Sequence, residues 1–542
     1  MRYSIATISV LAFLALIIVG VSGSYDIFQR TATIPADSLD IGGFGHVVAG
    51  VDLDGDGNLE IYAVNDDWHD QMGYDLVPRI YKYEKDANGD WQVVWSTHLA
   101  LDFQNTWPPL AVADLDQDGK GEIVWGPVNN FGGGLQPNPE RIVVFETPGD
   151  GSDNMGVYDA ANDMWLPNAS WTIVQGNNIE QRPFRWHIYD IDGDGQDEIV
   201  AGCRKGDGIQ VYSVDNIPDN GDGSETWTLE FSGLNGITFY DITILNGVIY
   251  GIRSNGDVYP VKYDAAGDSF VVCDPQVGLA GKGCWKSASV ADFDGDGNDE
   301  IILASWSSSD NDVYLLKPSG DTLAAYKIKD VPSSSYRSYG GDVGDIDGDG
   351  KLDFVFGTRQ STPNGIIHRL EYQGGDITDS LNWTLSIIDT NVSPALQYDI
   401  IEVANLDSDP EDEVVYSGIP RGLSASDPPQ PIAIVEYVTT GIHDQFQNVP
   451  LSFALHQNYP NPFNPETHIS FDLPKATNVT LTIYNTLGQK VRTLVNDVRQ
   501  AGSYTVVWDG TNDYGVQVAS GVYIYTLRAG NFTQTRKMTL VR

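Results

Sequence analysis

The chain is poor in sulfur and in positive charge. Three cysteines among 542 residues exclude a disulfide framework, because a scaffold held by bridges needs even, closely spaced sets of them. Cys273 and Cys284 are close enough in sequence to bridge a short loop, and buried thiols are the other reading for both, as for Cys203. Lysine and arginine total 31 against 75 aspartates and glutamates, a formal charge of −44 at pH 7. Phosphate neutralisation dominates nucleic-acid affinity, so this balance excludes a nucleic-acid partner and disfavours anionic membranes. HExxH, phosphate-loop and nucleophile-elbow motifs are also missing, as are paired carboxylates outside the acidic loops described below. No run after the first two dozen residues approaches the ~20 apolar residues that span a bilayer. Those first residues, MRYSIATISVLAFLALIIVGVSGS, carry Arg2, an apolar stretch and then small residues. Residues 1–23 are therefore expected to be a secretory signal peptide, with an uncleaved anchor as the alternative. The mature protein is expected outside the cytoplasm, secreted or at the outer cell surface, with no membrane span.

What the chain has in abundance is one acidic loop, used six times between apolar strands, as in VAGVDLDGDGNLEIYA at 48–63. Oxygen donors stand at positions 1, 3 and 5, a glycine at 6 turns the chain, and a carboxylate returns at 9. A hard cation such as calcium takes six to eight oxygens at about 2.3–2.6 Å, which is what such a loop can aim at one point. The candidate ligands are Asp52, Asp54, Asp56 and Glu60, with the carbonyl of Asn58; Asp114, Asp116, Asp118 and Glu122; and Asp190, Asp192, Asp194 and Glu198. Further along come Asp292, Asp294, Asp296 and Glu300, then Asp345, Asp347, Asp349 and Asp353. In the sixth loop Asn405 replaces the first Asp, Asp407, Asp409 and Glu413 remain, and Pro410 stands at the glycine position, so its affinity is expected to be lowest. An EF-hand closes with Glu at position 12 between helices, whereas these loops close at 9 between strands. About six structural Ca2+ ions are expected.

With its flanking strands and Phe44-Gly45 ahead of the first loop, the pattern resembles the FG-GAP and VCBS repeats of integrin-alpha-like β-propellers over residues 25–438. The first ligands fall at 52, 114, 190, 292, 345 and 405, and the interval of 102 residues is about twice the shortest, 53. A metal-free blade fits in that gap, with FYDITILNGVIYGI aligned so that Asp241 lies opposite Asp190. Seven units of about 50 residues, four short strands each, predict an all-β fold: a seven-bladed β-propeller. The last unit lacks a fourth strand, and YDIFQRTATI at 25–34 is expected to supply it and close the ring, leaving no sheet edge.

Residues 439–457 are expected to be a linker, and 458–542 an Ig-like sandwich of short alternating strands. Asn458 to Pro465, Ile483-Tyr484-Asn485, Trp508-Asp509-Gly510, Ser520 to Tyr523 and Lys537-Met538 resemble the type A sorting domain of the type IX secretion system, itself similar to a flagellar-hook-cap (FlgD) Ig domain. Membership implies the type IX machinery as a partner and this domain as the export address.

The acidic loops belong on one face of the propeller. The connections of the other face concentrate aromatic and basic residues, among them Trp107, Arg185, Trp186, Trp285, Lys286, Arg337 and Tyr339. Flat rings and two-point guanidinium contacts suit an acidic glycan or a surface-protein ligand. The alternative is that these tryptophans cap the core between blades. His69 and His187 lie in the same connections and supply the base that a lyase acting on acidic polysaccharide would need. The reading is a binding protein first, a polysaccharide-degrading enzyme second and a surface scaffold third.

Overall fold

The computed structural model describes residues 27–541 except 38–39, 41, 67–76, 100–106, 128–139, 172–181, 205–207, 278–282, 307–310, 320–321, 332–336, 359–364, 391–395, 408, 421–430, 439–452, 459, 474–476, 500–501 and 531. The expected signal peptide, most of the expected linker and His69 lie outside the described residues.

Seven antiparallel sheets follow one another along the chain, six of four strands and the fourth with a short fifth strand, Gln276–Val277, paired to Asp257–Asp264. The first holds Phe44–Val51, Glu60–Asn65, Arg79–Lys85 and Trp91–His98. Leu110–Ala113, Glu122–Trp125, Ile142–Glu146 and Ala169–Trp171 form the second, with the hairpin Val157–Asp159 and Met164–Leu166 inserted before its last strand. Pro183–Tyr189, Glu198–Cys203, Ile209–Asp215 and Thr226–Gly233 make the third. The fourth contains Asp241–Leu245, Val248–Ile252, Asp257–Asp264 and Ser269–Val272, and the fifth Ser289–Ala291, Glu300–Ala304, Asn311–Ser319 and Thr322–Val331. Ser338–Gly344, Asp353–Thr358, Ile366–Tyr372 and Trp383–Thr390 form the sixth. In the seventh, Leu396–Ala404, Glu413–Pro420 and Ile432–Val438 are completed by Ile27–Ile34, which pairs antiparallel with Ile432–Val438 from Ile27 opposite Val438 to Ile34 opposite Ile432.

The strand sequences explain the layering. Second strands such as EIYAVN, EIVAGC and DFVFGT are buried along their whole length, and continuous apolar runs are what a strand covered on both faces requires. Fourth strands alternate or stay part-exposed, as in TWTLEFSG, because they are the outer edges of their sheets. The apolar core is divided among the gaps between consecutive sheets. Tyr62 and Trp95 of the first meet Ile123 and Trp125 of the second. Val47 and Ile61 of the first also meet Val415 and Ile432 of the seventh. First strands touch first strands around the same cycle, the seventh against the first included.

The fourth sheet corrects one alignment. Its first two strands are joined at Asn246-Gly247, with φ of 52° and 71°, the left-handed pair that a two-residue hairpin turn demands. The counterpart of the acidic loop is therefore this turn. Asp241 begins the strand at its other end and does not lie opposite Asp190; its Oδ2 accepts the backbone N–H groups of Ser287 and Ala288 at 2.6 and 2.9 Å.

The C-terminal residues form two further sheets, Ala454–Leu455, Thr467–Leu473 and Gly502–Trp508 in one, and Lys490–Arg499, Thr477–Asn485, Gly521–Ala529 and Phe532–Leu540 in the other. Ala454 and Leu455 pair with Asp472 and Phe471. The end of the expected linker is thus sheet, anchored because the Leu455 side chain is fully buried against Phe471 and Trp508. The three cysteines are not bonded to one another; Cys203 and Cys284 are buried, and the Cys284 thiol lies 3.3 Å from Asp241 Oδ2. Among the described residues no helix is long and apolar enough to cross a membrane.

Candidate functional site

Each acidic loop joins the first and second strands of its sheet, and all six share one internal bonding pattern. The position 9 carboxylate accepts the backbone N–H of position 2: Leu53 to Glu60 at 2.8 Å, Leu115 to Glu122 at 2.6 Å, Ile191 to Glu198 at 2.9 Å, and likewise Phe293 to Glu300, Ile346 to Asp353 and Leu406 to Glu413. In five loops the position 1 carboxylate accepts the N–H of the position 6 glycine, as Gly57 to Asp52 at 3.1 Å and Gly297 to Asp292 at 2.8 Å. Those glycines have φ near +90°, 93° at Gly57, a region that side chains disfavour. Pro410 has neither the freedom nor the N–H. In that loop the Asn405 amide instead donates to the carbonyls of Asp409 and Glu411 at 2.9 and 3.2 Å.

Neighbouring loops touch, so they share a face. Asp345 and Asp412 exchange backbone and side-chain bonds at 2.9 and 3.0 Å, and Gln196 Nε2 donates to the Leu115 carbonyl at 3.1 Å.

The donor sets fit a hard divalent cation. In the Asp114 loop single oxygens of Asp114, Asp116, Asp118 and Glu122 all lie within 4.8 Å of one another. Asp116 Oδ1 and Glu122 Oε1 there are buried and accept no hydrogen bond, a costly arrangement that a cation would relieve. Burial also pushes the Glu122 carboxyl up to about 9, Glu198 to about 8 and Glu413 to about 7. Asp353 rises to about 8 through burial that Arg369 only partly offsets. Clustered carboxylates are raised in this way when desolvation outweighs the favourable partners they have.

Three loops hold a positive side chain from the third strand of their own sheet. Lys82 Nζ lies 2.5 Å from Asp54, 2.8 Å from Glu84, 3.1 Å from Asp153 and 3.3 Å from Glu60, and its side chain is fully buried. Arg369 contacts Asp347, Asp353 and Glu371 at 2.5, 2.6 and 3.0 Å. Lys317 contacts Glu300 and Asp294 at 2.7 and 3.3 Å. Sequence reasoning passed over these residues, although a charge inside an apolar strand, YKYE at 81–84 or HRLE at 368–371, is the available signal.

On the opposite side, Trp107, Phe184, Trp285 and Tyr339 form one buried cluster, with Tyr240 and Trp306 packed against it. They come from the second to sixth sheets. Tyr240 and Trp306 stack on Trp285 with centroids 4.7 and 5.4 Å apart. Cations cover these rings: Arg204 over Trp107 at 4.2 Å, Arg337 over Trp306 at 4.0 Å and Lys286 over Phe184 at 4.8 Å. Trp107 and Lys286 hold φ of 52° and 49°, a conformation kept by bulky residues only where surroundings impose it.

Of the seven residues expected on this face, Trp107, Trp285, Lys286, Arg337 and Tyr339 therefore meet. Trp186 does not: it packs in the core between the second and third sheets. Arg185 reaches the cluster's edge, donating to the Lys286 carbonyl at 3.4 Å and lying 3.8 Å from Asp241. Trp107, Trp186, Trp285, Lys286 and Tyr339 are buried, while Arg185 and Arg337 are half-buried. Phe184 and Tyr240 escaped the sequence reading; both stand at the head of a first strand, as Trp107, Trp285 and Tyr339 do. His187 Nε2 is 2.9 Å from the Ile242 carbonyl, and burial lowers the imidazole to about 4.

Against known sequences, residues 52–125 and 292–356 match the FG-GAP-like repeat family and residues 459–531 match the FlgD Ig-like domain family. No curated protein matches the chain. Similar solved structures include PorZ, an essential bacterial surface component of the type-IX secretion system of Porphyromonas gingivalis, at 13% identity over 94% of this chain, TM-score 0.39. The chain spans 60% of PorZ. The WD40 β-propeller domain of Doa1 is similar at 13% identity over 76% of this chain and 97% of its own length, TM-score 0.40. A fungal alcohol oxidase in complex with copper is similar at 12% identity over 93% of this chain and all of its own, TM-score 0.40. The chain thus carries FG-GAP-like repeats in an all-β, propeller-like body, followed by a FlgD Ig-like domain.

Proposed function

We propose that this protein is an exported, calcium-stabilised binding protein. The seven sheets make one closed seven-bladed propeller, and the C-terminal domain is a type IX sorting address. Ring closure is supported by the pairing of Ile27–Ile34 with Ile432–Val438 and by the core shared between the first and seventh sheets. Calcium is supported by the repeated donor geometry and the orphaned oxygens of the Asp114 loop.

The observation that carries the binding reading is the aromatic and cationic cluster opposite the loops. Trp285 Nε1, Trp306 Nε1 and Tyr339 Oη are buried there without a protein acceptor, beside the half-buried Arg337. Unpartnered donors next to a guanidinium suit a ligand that brings acceptor oxygens, and an acidic glycan brings many. Nothing favours catalysis at His187, which is engaged with backbone. The test is to titrate the calcium-loaded full chain with alginate, polygalacturonate and hyaluronan, following binding by calorimetry and cleavage by absorbance of unsaturated uronates. Binding without cleavage is expected, with Arg337→Ala weakening it at least tenfold. No binding to any of the three, or unchanged affinity in Arg337→Ala, refutes the reading; rising absorbance replaces it with a lyase.

A further inference from the structure

The six loops are not equivalent as metal sites, and the difference lies in their third strands. In the Asp52 and Asp345 loops a positive charge already stands between the position 3 and position 9 carboxylates, where a metal would have to sit. We propose that Lys82 and Arg369 are built-in cations that replace calcium in these two loops, leaving the Asp114 and Asp190 loops as the strongest metal sites. The proposal rests on the calcium reading above and divides its sites.

The geometry around Lys82 is that of a site already filled. Four carboxylates from three segments surround one ammonium: Asp54 and Glu60 of the loop, Glu84 of the same third strand, and Asp153 from the insertion of the next sheet. Nζ has three protons to donate, and three of these contacts are 3.1 Å or shorter. With its side chain fully buried, Lys82 has no solvent-facing position to retreat to when a divalent ion arrives. Arg369 is held in the same way, its Nε bonded to Asp353 at 2.6 Å and its Nη2 2.5 Å from Asp347, with its side chain 8% exposed. A guanidinium also keeps its charge at every accessible pH. The two residues are register equivalents: Lys82 lies opposite Tyr62 and Arg369 opposite Val355, each two residues past the position 9 ligand.

The other loops differ in graded fashion. Lys317 bridges Asp294 and Glu300 from a different register position, and its side chain is 23% exposed, so it can swing into water and yield to calcium. Lys120 pairs with Asp118 at position 5 and reaches outward to Glu146 and Asp219, leaving Asp116 and Glu122 untouched. Among the described residues no cationic side chain pairs with Asp190, Asp192, Asp194 or Glu198.

Elemental analysis of the full chain, stripped with chelator and re-equilibrated in calcium, gives the count per molecule. At most four ions are expected. Asp54→Asn and Asp347→Asn should leave that count unchanged, Asp192→Asn should lower it by one, and Lys82→Met should raise it by one. A count of six, or loss of one ion in Asp54→Asn, overturns the proposal. A count of zero overturns the calcium reading itself and is thereby distinguishable. Should Lys82→Met fail to fold, the two asparagine variants still decide.

Discussion

Single buried residues set the acid limit of this fold, and His368 shows how. It is 1% exposed, lies against Phe356 with ring centroids 5.1 Å apart and is 3.2 Å from Thr358 Oγ1. Burial lowers the imidazole to about 3, against about 6.5 in an unfolded chain. Below pH 6.5 the unfolded state therefore takes up a proton that the folded state refuses until about pH 3. Stability from this residue is fully present above 6.5 and is lost as pH falls through that window, at about 1.4 kcal/mol per pH unit. His46 and His187, both lowered chiefly by burial, act with the same sign. The half-buried Asp342, raised to about 6 by burial, acts in the opposite sense between about 3.8 and 6. In saturating calcium His368→Phe is expected to lose about 1 kcal/mol less than wild type between pH 6.5 and 5.5, read from urea midpoints at each pH. Parallel losses in the two proteins would show that His368 is protonated in the fold.

At the scale of elements, the strand from Ile27 to Ile34 matters most for its length, because it is covalently remote from the sheet it completes. Its ladder with Ile432–Val438 is reinforced by Arg30, bonded to Asp389 at 2.8 Å and to the Tyr416 hydroxyl at 2.7 Å, and by Ile34, which is 2% exposed in the core shared with the first sheet. A chain beginning at residue 36 leaves Ile432–Val438 as an open apolar edge, the kind that recruits strands from other molecules. Such a truncation should lower the melting temperature by 10 °C or more and associate in light scattering, and a synthetic peptide of residues 25–35 should reverse both effects. A monomeric truncation with an unchanged melt would show that the edge is covered by something else. The need for this strand was legible because the last repeat runs out after PIAIVEYV without a fourth strand. The acidic loops were legible as a pattern for a related reason: their oxygen donors recur at fixed spacing within nine residues. The fourth sheet was misaligned because Asp241 matched by chemistry, whereas the Asn246-Gly247 turn matched by backbone conformation. Trp186 and Trp107 look alike beside their strands, and only the three-dimensional packing sends one between sheets and the other into the aromatic cluster. The charge of Lys82 inside an apolar strand was legible, but its partners were not, because its contacts with Asp54 and Asp153 span 28 and 71 residues.

For the whole molecule, charge is the organising quantity, and it is unevenly distributed. The donor positions of the acidic loops hold 23 of the 75 acidic side chains, and the net charge is −44. All of them lie in the first seven sheets. The C-terminal domain has a separate core, built from Leu455, Phe471, Trp508, Tyr525 and their neighbours, and its ion pairs, such as Lys490 with Asp513 at 2.9 Å, are exposed. A ligand that binds only the folded state adds about 2.7 kcal/mol per site at a hundredfold excess over its Kd, so calcium should act on one part of the chain and bypass the other. Scanning calorimetry in millimolar calcium is expected to give two transitions. Chelation should move the larger transition, from the first seven sheets, down by at least 10 °C and leave the smaller one, from residues 453–541, within 1 °C. Raising the salt concentration after chelation should restore only part of the loss, because screening weakens repulsion between exposed carboxylates but hardly reaches buried ones such as Glu122 and Glu198. Full recovery in salt alone would mean that repulsion at the surface, and not an unfilled cage, is what calcium relieves. An unchanged upper and lower transition in chelator would remove metal from the account of this fold altogether.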